Sequence, residues 1–297
     1  MFDSKGRSVF NRLLCFILVL VTATSCELFW SPKSPRGYVV PRPYKMILEK
    51  KLNEISGLYY LPDENSFLAI ADNKQKVYRV TVDGKVSDYF EEEFAEQDDF
   101  EDVVKVDSTV YVLISDGTII AIRQNDSGRL LTSRHPFPTT DSTNKNDFET
   151  LYYDSLAKGL IMMCKECEIE KGKNLRTAYR FDLATKQFDP APFYTIATRS
   201  VADRLKDGKV SFNPSAAAFN PIDNRLYILS SAGQLLISTD RMGKVYEVFR
   251  LNPTFYPQAE GIAFASNGDM YISNEAKLGK PTLLRIPYKS TRNKQRE

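Results

Sequence analysis

Oxygen-bearing side chains recur in this sequence in a pattern that could bind a cation. Each copy is a polar residue, one spacer, then Glu or Ser, and it stands before a mostly apolar run. Oxygen-only ligands suit Ca²⁺ better than zinc or copper. The five copies begin at Glu54, Asp99, Asp147, Asn213 and Gln258, and their third positions are Ser56, Glu101, Glu149, Ser215 and Glu260.

The spacing of the copies predicts the elements that carry them. The third positions lie 45, 48, 66 and 45 residues apart. Each copy continues into two further apolar segments, separated by turn sequences such as PDEN, SDG and SNG, and four copies add a fourth segment. A repeat of about 45 residues with four short strands is typical of a β-propeller blade. The sequence therefore predicts an all-β propeller of about five four-stranded blades.

An N-terminal strand is expected to close the ring. The fifth copy lacks a fourth strand, and the segment YKMILEKKL at residues 44–52 has no first strand of its own. We expect this segment to complete the last blade, because closure removes exposed sheet edges. The extra residues 198–209 predict an inserted loop or short helix. A degenerate sixth blade is the alternative.

The first strand of each blade lines the central channel of a propeller. Residues two apart share one face of a strand, so the first and third motif positions should form two stacked rings in the channel. The candidate calcium ligands are Glu54, Asp99, Glu101, Asp147, Glu149 and Glu260. The second strand returns to the same end of the channel. Ser56 and Ser215 are expected to support the ligands, together with the strand ends Asp72, Asp116, Glu166, Ser231, Asn274 and Glu275.

Six carboxylates in one channel would repel one another if they were dry and unpaired. Raised pKa values, pairing with Lys74, Lys105 or Lys165, or a bound cation would relieve the repulsion. A hydrated channel, in which the polar rings only cap the strand ends, is the alternative without a metal.

No catalytic residue is predicted. The only histidine is His135, in an expected outer strand, and the sequence has no G-x-S-x-G. Cys164 and Cys167 have no two further Cys or His ligands at a spacing that suits zinc. They stand at an expected strand end, where a local disulfide and two unpaired thiols are the alternatives.

The N-terminus has the features of a secretory signal. Basic residues precede the apolar run Leu13–Val21, which is too short to span a bilayer as a helix. The following Ala23-Thr24-Ser25-Cys26 resembles a bacterial lipobox, although a leucine is usual where Ala23 stands. This resemblance implies cleavage before Cys26 and acylation there, as in palmitoylated envelope lipoproteins. A signal peptide cut nearby, with Cys26 incidental, is the alternative.

Four segments are predicted: a signal peptide at 1–25, a Pro-rich tether at 26–43, the propeller at 44–288 and a basic tail at 289–297. Removing residues 1–25 takes away three bases and one acid, which leaves the chain with no formal net charge. This balance argues against a nucleic-acid partner. We expect a monomer.

Several segments together resemble the SdiA-regulated, or calcium-regulated, β-propeller family over about residues 50–287. They are EISGLYYLPDENSFLAIADNKQKVYRV, DFEDVV, DFETLYYD, PSAAAFNPIDNRLYILSS and AEGIAFASNGDMYISNE. The resemblance implies links to the cell envelope and to calcium, and a distant relation to phytase and strictosidine-synthase propellers. By this resemblance Glu101, Glu149 and Glu260 are channel glutamates, while Ser56 and Ser215 replace Glu.

Two functions are therefore predicted. The first is a lipid-anchored envelope protein, at the outer membrane or periplasmic face, which performs no catalysis and binds Ca²⁺ or a small-molecule or protein ligand at its acidic mouth. The second is a metal-dependent hydrolase of phosphoesters, lactones or esters. Hydrolysis of phosphoesters would require basic residues beside the metal to hold the phosphate, and no dense cluster of them stands at the motif positions.

Overall fold

A ring of five antiparallel sheets surrounds a central channel in the computed structural model, which describes residues 34–139, 146–205, 210–277 and 279–290. The predicted signal peptide, Cys26, the beginning of the tether and residues 291–297 of the tail lie outside the described residues. The sheets are the predicted five blades, of which four have four strands and blade 3 has its outermost position divided between two short strands, so the six-blade alternative is excluded.

Each blade runs from an inner strand outward, with neighbouring strands antiparallel. Blade 1 consists of β2 (Ile55–Leu61), β3 (Ser66–Ala71), β4 (Tyr78–Thr81) and β5 (Val86–Asp88). Blade 2 consists of β6 (Phe100–Val106), β7 (Thr109–Ile114), β8 (Ile119–Gln124) and β9 (Leu130–His135). Blade 3 consists of β10 (Asp147–Asp154), β11 (Gly159–Glu166), β12 (Leu175–Asp182), β13 (Gln187–Phe188) and β14 (Tyr194–Ala197).

The outer edge of blade 3 is divided, because β13 and β14 both pair with β12. Blade 4 consists of β15 (Ala216–Phe219), β16 (Leu226–Ser230), β17 (Leu235–Thr239) and β18 (Val245–Arg250). Blade 5 consists of β19 (Ala259–Phe264), β20 (Met270–Asn274), β21 (Thr282–Ile286) and the N-terminal β1 (Tyr44–Ile47).

The N-terminal strand closes the ring as predicted. β1 pairs antiparallel with β21, from Tyr44 opposite Arg285 to Ile47 opposite Thr282. The inserted segment contains the helix α1 (Thr198–Leu205), and short 3-10 turns form at Lys50–Leu52 and Glu168–Glu170. α1 contacts β18 and buries Val201 between blades 3 and 4.

The hydrophobic core is divided into five clusters, one between each pair of neighbouring blades. The middle strands are therefore covered on both faces, which explains why β3 and β16 read as apolar runs without alternation. The inner strands lie close together around the channel. A Cβ at Gly57 would lie 2.8 Å from the backbone nitrogen of Val103 in the next blade, so this position requires glycine.

Residues 34–43 differ from the predicted tether, because they pack on the propeller. Tyr38 and Val40 are buried between blades 4 and 5. The Tyr38 hydroxyl donates to the Gly268 carbonyl at 2.7 Å, and the Tyr256 hydroxyl donates to the Val40 carbonyl at 2.7 Å. Composition indicated an extended segment, but its apolar residues fill a groove that the ring leaves open.

Candidate binding site at the acidic channel mouth

A β-bulge at the start of the inner strands positions the third motif residues. In blade 2, Phe100 pairs with Ile114 and Asp102 pairs with Leu113, which leaves Glu101 without a partner residue. The same shift in strand register leaves Ser56, Glu149 and Glu260 without a partner residue in blades 1, 3 and 5. A bulge bends its strand and redirects a side chain. The sequence suggested strict alternation here, and it gave no direct sign of the bulge.

All five third-position residues line one cavity of about 320 Å³ at the end of the channel where the inner strands begin. We call this end the acidic mouth. The cavity is lined by Ser56, Asp72, Asp99, Glu101, Glu149, Lys165, Ser215, Gln258, Glu260 and Glu275. Six of these residues carry carboxyl groups and one carries an ammonium group. The predicted ring of third positions is therefore brought together, with further acids from the second strands.

The ring of first positions is only partly assembled. Asp99 and Gln258 line the cavity. Asp147 lines an adjoining groove of about 890 Å³ together with Asp116 and Glu166. Glu54 is exposed and accepts a hydrogen bond from Asn73, while the Asn213 side chain accepts one from Arg176 at 2.7 Å.

Asn274 is buried in the sheet, and its amide donates to the Phe255 carbonyl and the Thr282 hydroxyl. It is therefore engaged in the fold and does not line the mouth. The two serines of the ring link neighbouring blades. The Ser56 hydroxyl donates to the Phe100 carbonyl at 2.8 Å, and the Ser215 hydroxyl donates to the Ala259 carbonyl at 2.9 Å. These backbone acceptors precede the two bulged glutamates Glu101 and Glu260.

Lys165 is the one basic residue among those that the structure shows lining this cavity. Its ammonium donates to Glu149 and lies 3.4 Å from a carboxylate oxygen of Asp147. Burial opposes the charge, yet the hydrogen bond and the surrounding acids raise the pKa of Lys165. Of the lysines proposed from sequence, Lys165 pairs with the ring, whereas the Lys105 ammonium lies over the Tyr89 ring.

The other carboxyl groups are crowded without a matching cation. Burial, followed by the charges of Glu149, Asp99 and Asp147, raises the pKa of Glu101 to about 10. Burial and the charges of Glu149 and Glu275 raise the pKa of Glu260 to about 8, although hydrogen bonds from Ser231 and Gln258 oppose the rise. At neutral pH the mouth holds protons that a bound cation would replace.

Two further carboxyl groups of the mouth, on blades 5 and 1, are also crowded. Burial and the charges of Asp72 and Glu54 raise the pKa of Glu275 to about 7. Burial and the charges of Glu54 and Asp99 raise the pKa of Asp72 to about 6. Repulsion between carboxylates therefore involves several residues around the cavity and is not limited to one pair of acids.

A disulfide joins Cys164 and Cys167 at the turn that carries Lys165. Both cysteines are buried, and the two residues between them reach the cavity and the adjoining groove. The bridge closes a four-residue turn at the end of β11. It therefore restricts the backbone that presents the ammonium to Glu149.

The donor chemistry of the mouth suits a hard cation, since it consists of carboxylate, amide and hydroxyl oxygens. However, no group of three or more His, Cys, Asp or Glu side chains in the described part of the chain is arranged to hold a metal ion. Calcium binding would require several of the carboxylates that line the cavity to move closer together.

The sole histidine lies away from this chemistry. His135 ends β9, the outermost strand of blade 2, where its ring packs on Phe181 and its Nε2 lies 3.0 Å from the Ser133 hydroxyl. Its position on the outer rim agrees with the sequence prediction.

The family follows from a comparison of sequences. The family model described as SdiA-regulated matches residues 38–278, which is most of the chain. The chain belongs to the SdiA-regulated family. A search of curated proteins gave no match. The family match begins at Tyr38, so it includes the residues that pack between blades 4 and 5.

Several solved structures are similar to this SdiA-regulated protein at low sequence identity. The soluble aldose sugar dehydrogenase of Escherichia coli is 12% identical with a TM-score of 0.50, over 84% of this chain and 100% of that chain. A luciferin-regenerating enzyme is 12% identical with a TM-score of 0.49, over 82% and 95%. The virginiamycin B lyase of Staphylococcus aureus is 12% identical with a TM-score of 0.42, over 82% and 73%. No helix in the described ranges is long and apolar enough to cross a bilayer.

Proposed function

We propose that this SdiA-regulated propeller is a lipid-anchored protein of the bacterial cell envelope that binds a cation at its acidic mouth and performs no catalysis. The ligand is Ca²⁺ or a small organic cation. The observation that carries the proposal is the imbalance of charge within one cavity, where the described lining residues include six carboxyl residues and one basic residue, Lys165.

The electrostatics of the mouth support cation binding. A cation would compensate the negative charge that raises the pKa of Glu101 and Glu260. Lys165 already illustrates the interaction, because its ammonium contacts Glu149 and Asp147. A ligand ammonium could make equivalent contacts with Glu101 and Glu260. Calcium would instead draw several carboxylates onto one ion.

The cavity favours binding over hydrolysis. A phosphoester substrate needs cationic groups beside the metal, and Lys165 is already engaged by acids. The other basic residues of the family-matched propeller, as far as it is described, do not line this cavity.

Thermal unfolding of the EDTA-treated chain tests the proposed ligand. We expect Ca²⁺ or 1,4-diaminobutane to raise the midpoint of the wild-type chain, because a ligand that binds only the folded state stabilises it. The Glu101→Gln/Glu149→Gln variant should lose this response. The matched control is Asp126→Asn, which removes an exposed carboxylate in the turn between β8 and β9, outside the cavity lining. An equal response in all three chains would mean that the ligand binds elsewhere.

A separate experiment tests the anchor. Acylation at Cys26 would add apolar chains to the N-terminus, and more than one chain is needed for stable membrane attachment. Cys26→Ala should move the protein from the membrane fraction to the soluble fraction. Retention of the variant on membranes, or a mature mass without added lipid, would contradict the proposed anchor.

A further inference from the structure

The opposite end of the channel is apolar. The inner strands finish there around an open cavity of about 260 Å³, which we call the aromatic mouth. Tyrosine and phenylalanine side chains from four blades line it: Tyr59, Tyr60, Tyr152, Tyr153, Phe219 and Phe264. The two ends of one channel therefore differ in chemistry, with carboxyl groups at one and aromatic rings at the other.

Exposed apolar side chains surround the aromatic mouth. Leu156, Ile222 and Met242 occupy turns at this end of blades 3 and 4, and they are 75%, 44% and 55% exposed. Arg241 connects two of these turns, because its guanidinium lies 4.3 Å from the centre of the Phe219 ring and is paired with Asp154. The apolar tips and the cavity therefore form one surface.

The N-terminal chain joins the propeller at this same surface. Both Ile222 and Tyr288 lie against Gly268, and Tyr288 also lies against Gly37. Gly268 in turn accepts the hydrogen bond from Tyr38. Cys26 lies eight residues before Ser34, so even a fully extended connection would reach only about 28 Å. An anchor at Cys26 would hold this end of the ring near the membrane.

We propose that the aromatic mouth and the apolar turn tips rest on the membrane surface, with the acidic mouth facing away from the lipid. This inference rests on the proposed anchor at Cys26. Tyrosine suits the lipid headgroup region, because its ring is apolar and its hydroxyl is polar. Transfer of leucine, isoleucine and methionine side chains from water to the acyl boundary is favourable, because it removes apolar surface from water. The acidic mouth would then receive its ligand from solution.

Hydrogen exchange measured by mass spectrometry tests the orientation. The full-length chain is purified from membranes and reconstituted in phosphatidylcholine vesicles, and exchange is read at the turn 221–224. The test variant is Leu156→Asp/Met242→Asp, which adds charge to two other turns of the same surface. The matched control is Ile169→Asp/Phe255→Asp, which changes two exposed apolar residues at the acidic end.

We expect the turn 221–224 to exchange about tenfold more slowly in the wild-type and control chains than in the test variant. The turn 231–234 at the acidic end should exchange equally in all three chains. Equal exchange at 221–224 in the wild-type chain and the test variant would overturn the inference. Equal protection of the turn 221–224 in the Cys26→Ala chain without lipid would also overturn the inference, because residues 27–33 or a second copy would then cover the surface. Loss of that protection on dilution would identify a second copy.

The same spectra give the mass at Cys26. A chain without added lipid would contradict the proposed anchor, and exchange with vesicles present would still test the surface. A lipid-modified chain with an unprotected turn would contradict only the proposed orientation.

Discussion

Replacing Glu101 by glutamine should stabilise the cation-free protein at alkaline pH. Glu101 is bulged from β6 into the acidic mouth, where Glu149, Asp99 and Asp147 disfavour its charge. Glutamine keeps the size of the side chain and is neutral at every pH. The variant therefore removes the free-energy cost of protonating this carboxyl on folding at alkaline pH, while it preserves the packing.

The size of this stabilisation follows from the pKa of Glu101 in the unfolded and folded chains. The pKa of Glu101 rises from 4.5 to about 10 in the folded chain. Protonated Glu101 contributes fully to the free energy of unfolding below pH 4.5, and this contribution is lost as the pH rises through the pKa of the folded chain. At pH 8 the interval of about 3.5 units sets an upper limit of about 5 kcal/mol. Water in the open mouth screens the charge, so we expect about 2 kcal/mol.

Thermal unfolding in EDTA at pH 5 and pH 8 measures this effect. For a domain of this size about 2 kcal/mol corresponds to a rise of about 4–8 °C in the midpoint. We expect that rise for Glu101→Gln at pH 8 and almost none at pH 5, with no comparable rise at either pH for Asp126→Asn, which removes an exposed carboxylate away from the mouth. A variant that is less stable than the wild type at pH 8, or equally shifted at both values, would refute the electrostatic reasoning.

The remaining predictions concern the acidic mouth and the inner strands. The unfolding midpoint of the wild-type chain in EDTA should fall from pH 5 to pH 8, because the mouth carboxyls with raised pKa values lose protons; a flat profile would contradict this. Lys165→Gln should destabilise the chain by about 1–2 kcal/mol at pH 7 by leaving Glu149 without its ammonium partner, as measured by urea unfolding. Buried Asp102 accepts the amides of Val103 and Leu151, so Asp102→Ala should cost about 2–4 kcal/mol. Asp102→Asn, which keeps one acceptor oxygen, should cost less, and equal losses would indicate another role.

The repeat was readable from sequence because each blade combines the same turn chemistry with apolar strands. The spacing predicted five blades, the closing strand β1 and the ring of third positions, all of which the structure contains. These features depend on local patterns that recur along the chain.

Three features could not be predicted in the same way. The bulge at Glu101 breaks the two-residue period, and only the pairing of β6 with β7 reveals it. Tyr38 and Val40 lie in a Pro-rich segment whose composition indicated a tether, yet a groove between distant blades buries them. The aromatic mouth arises from the far ends of the inner strands, such as Tyr59-Tyr60, and a single strand does not show that aromatic residues of separate blades line one cavity.

Calorimetric titration of the EDTA-treated wild-type chain with Ca²⁺, and separately with 1,4-diaminobutane, tests the central claim most directly. Cation binding at the acidic mouth predicts saturable heat with one of these ligands, and loss of that heat in Glu101→Gln/Glu149→Gln. Heat no greater than that of dilution with both ligands, or an unchanged isotherm in the double variant, would contradict the account.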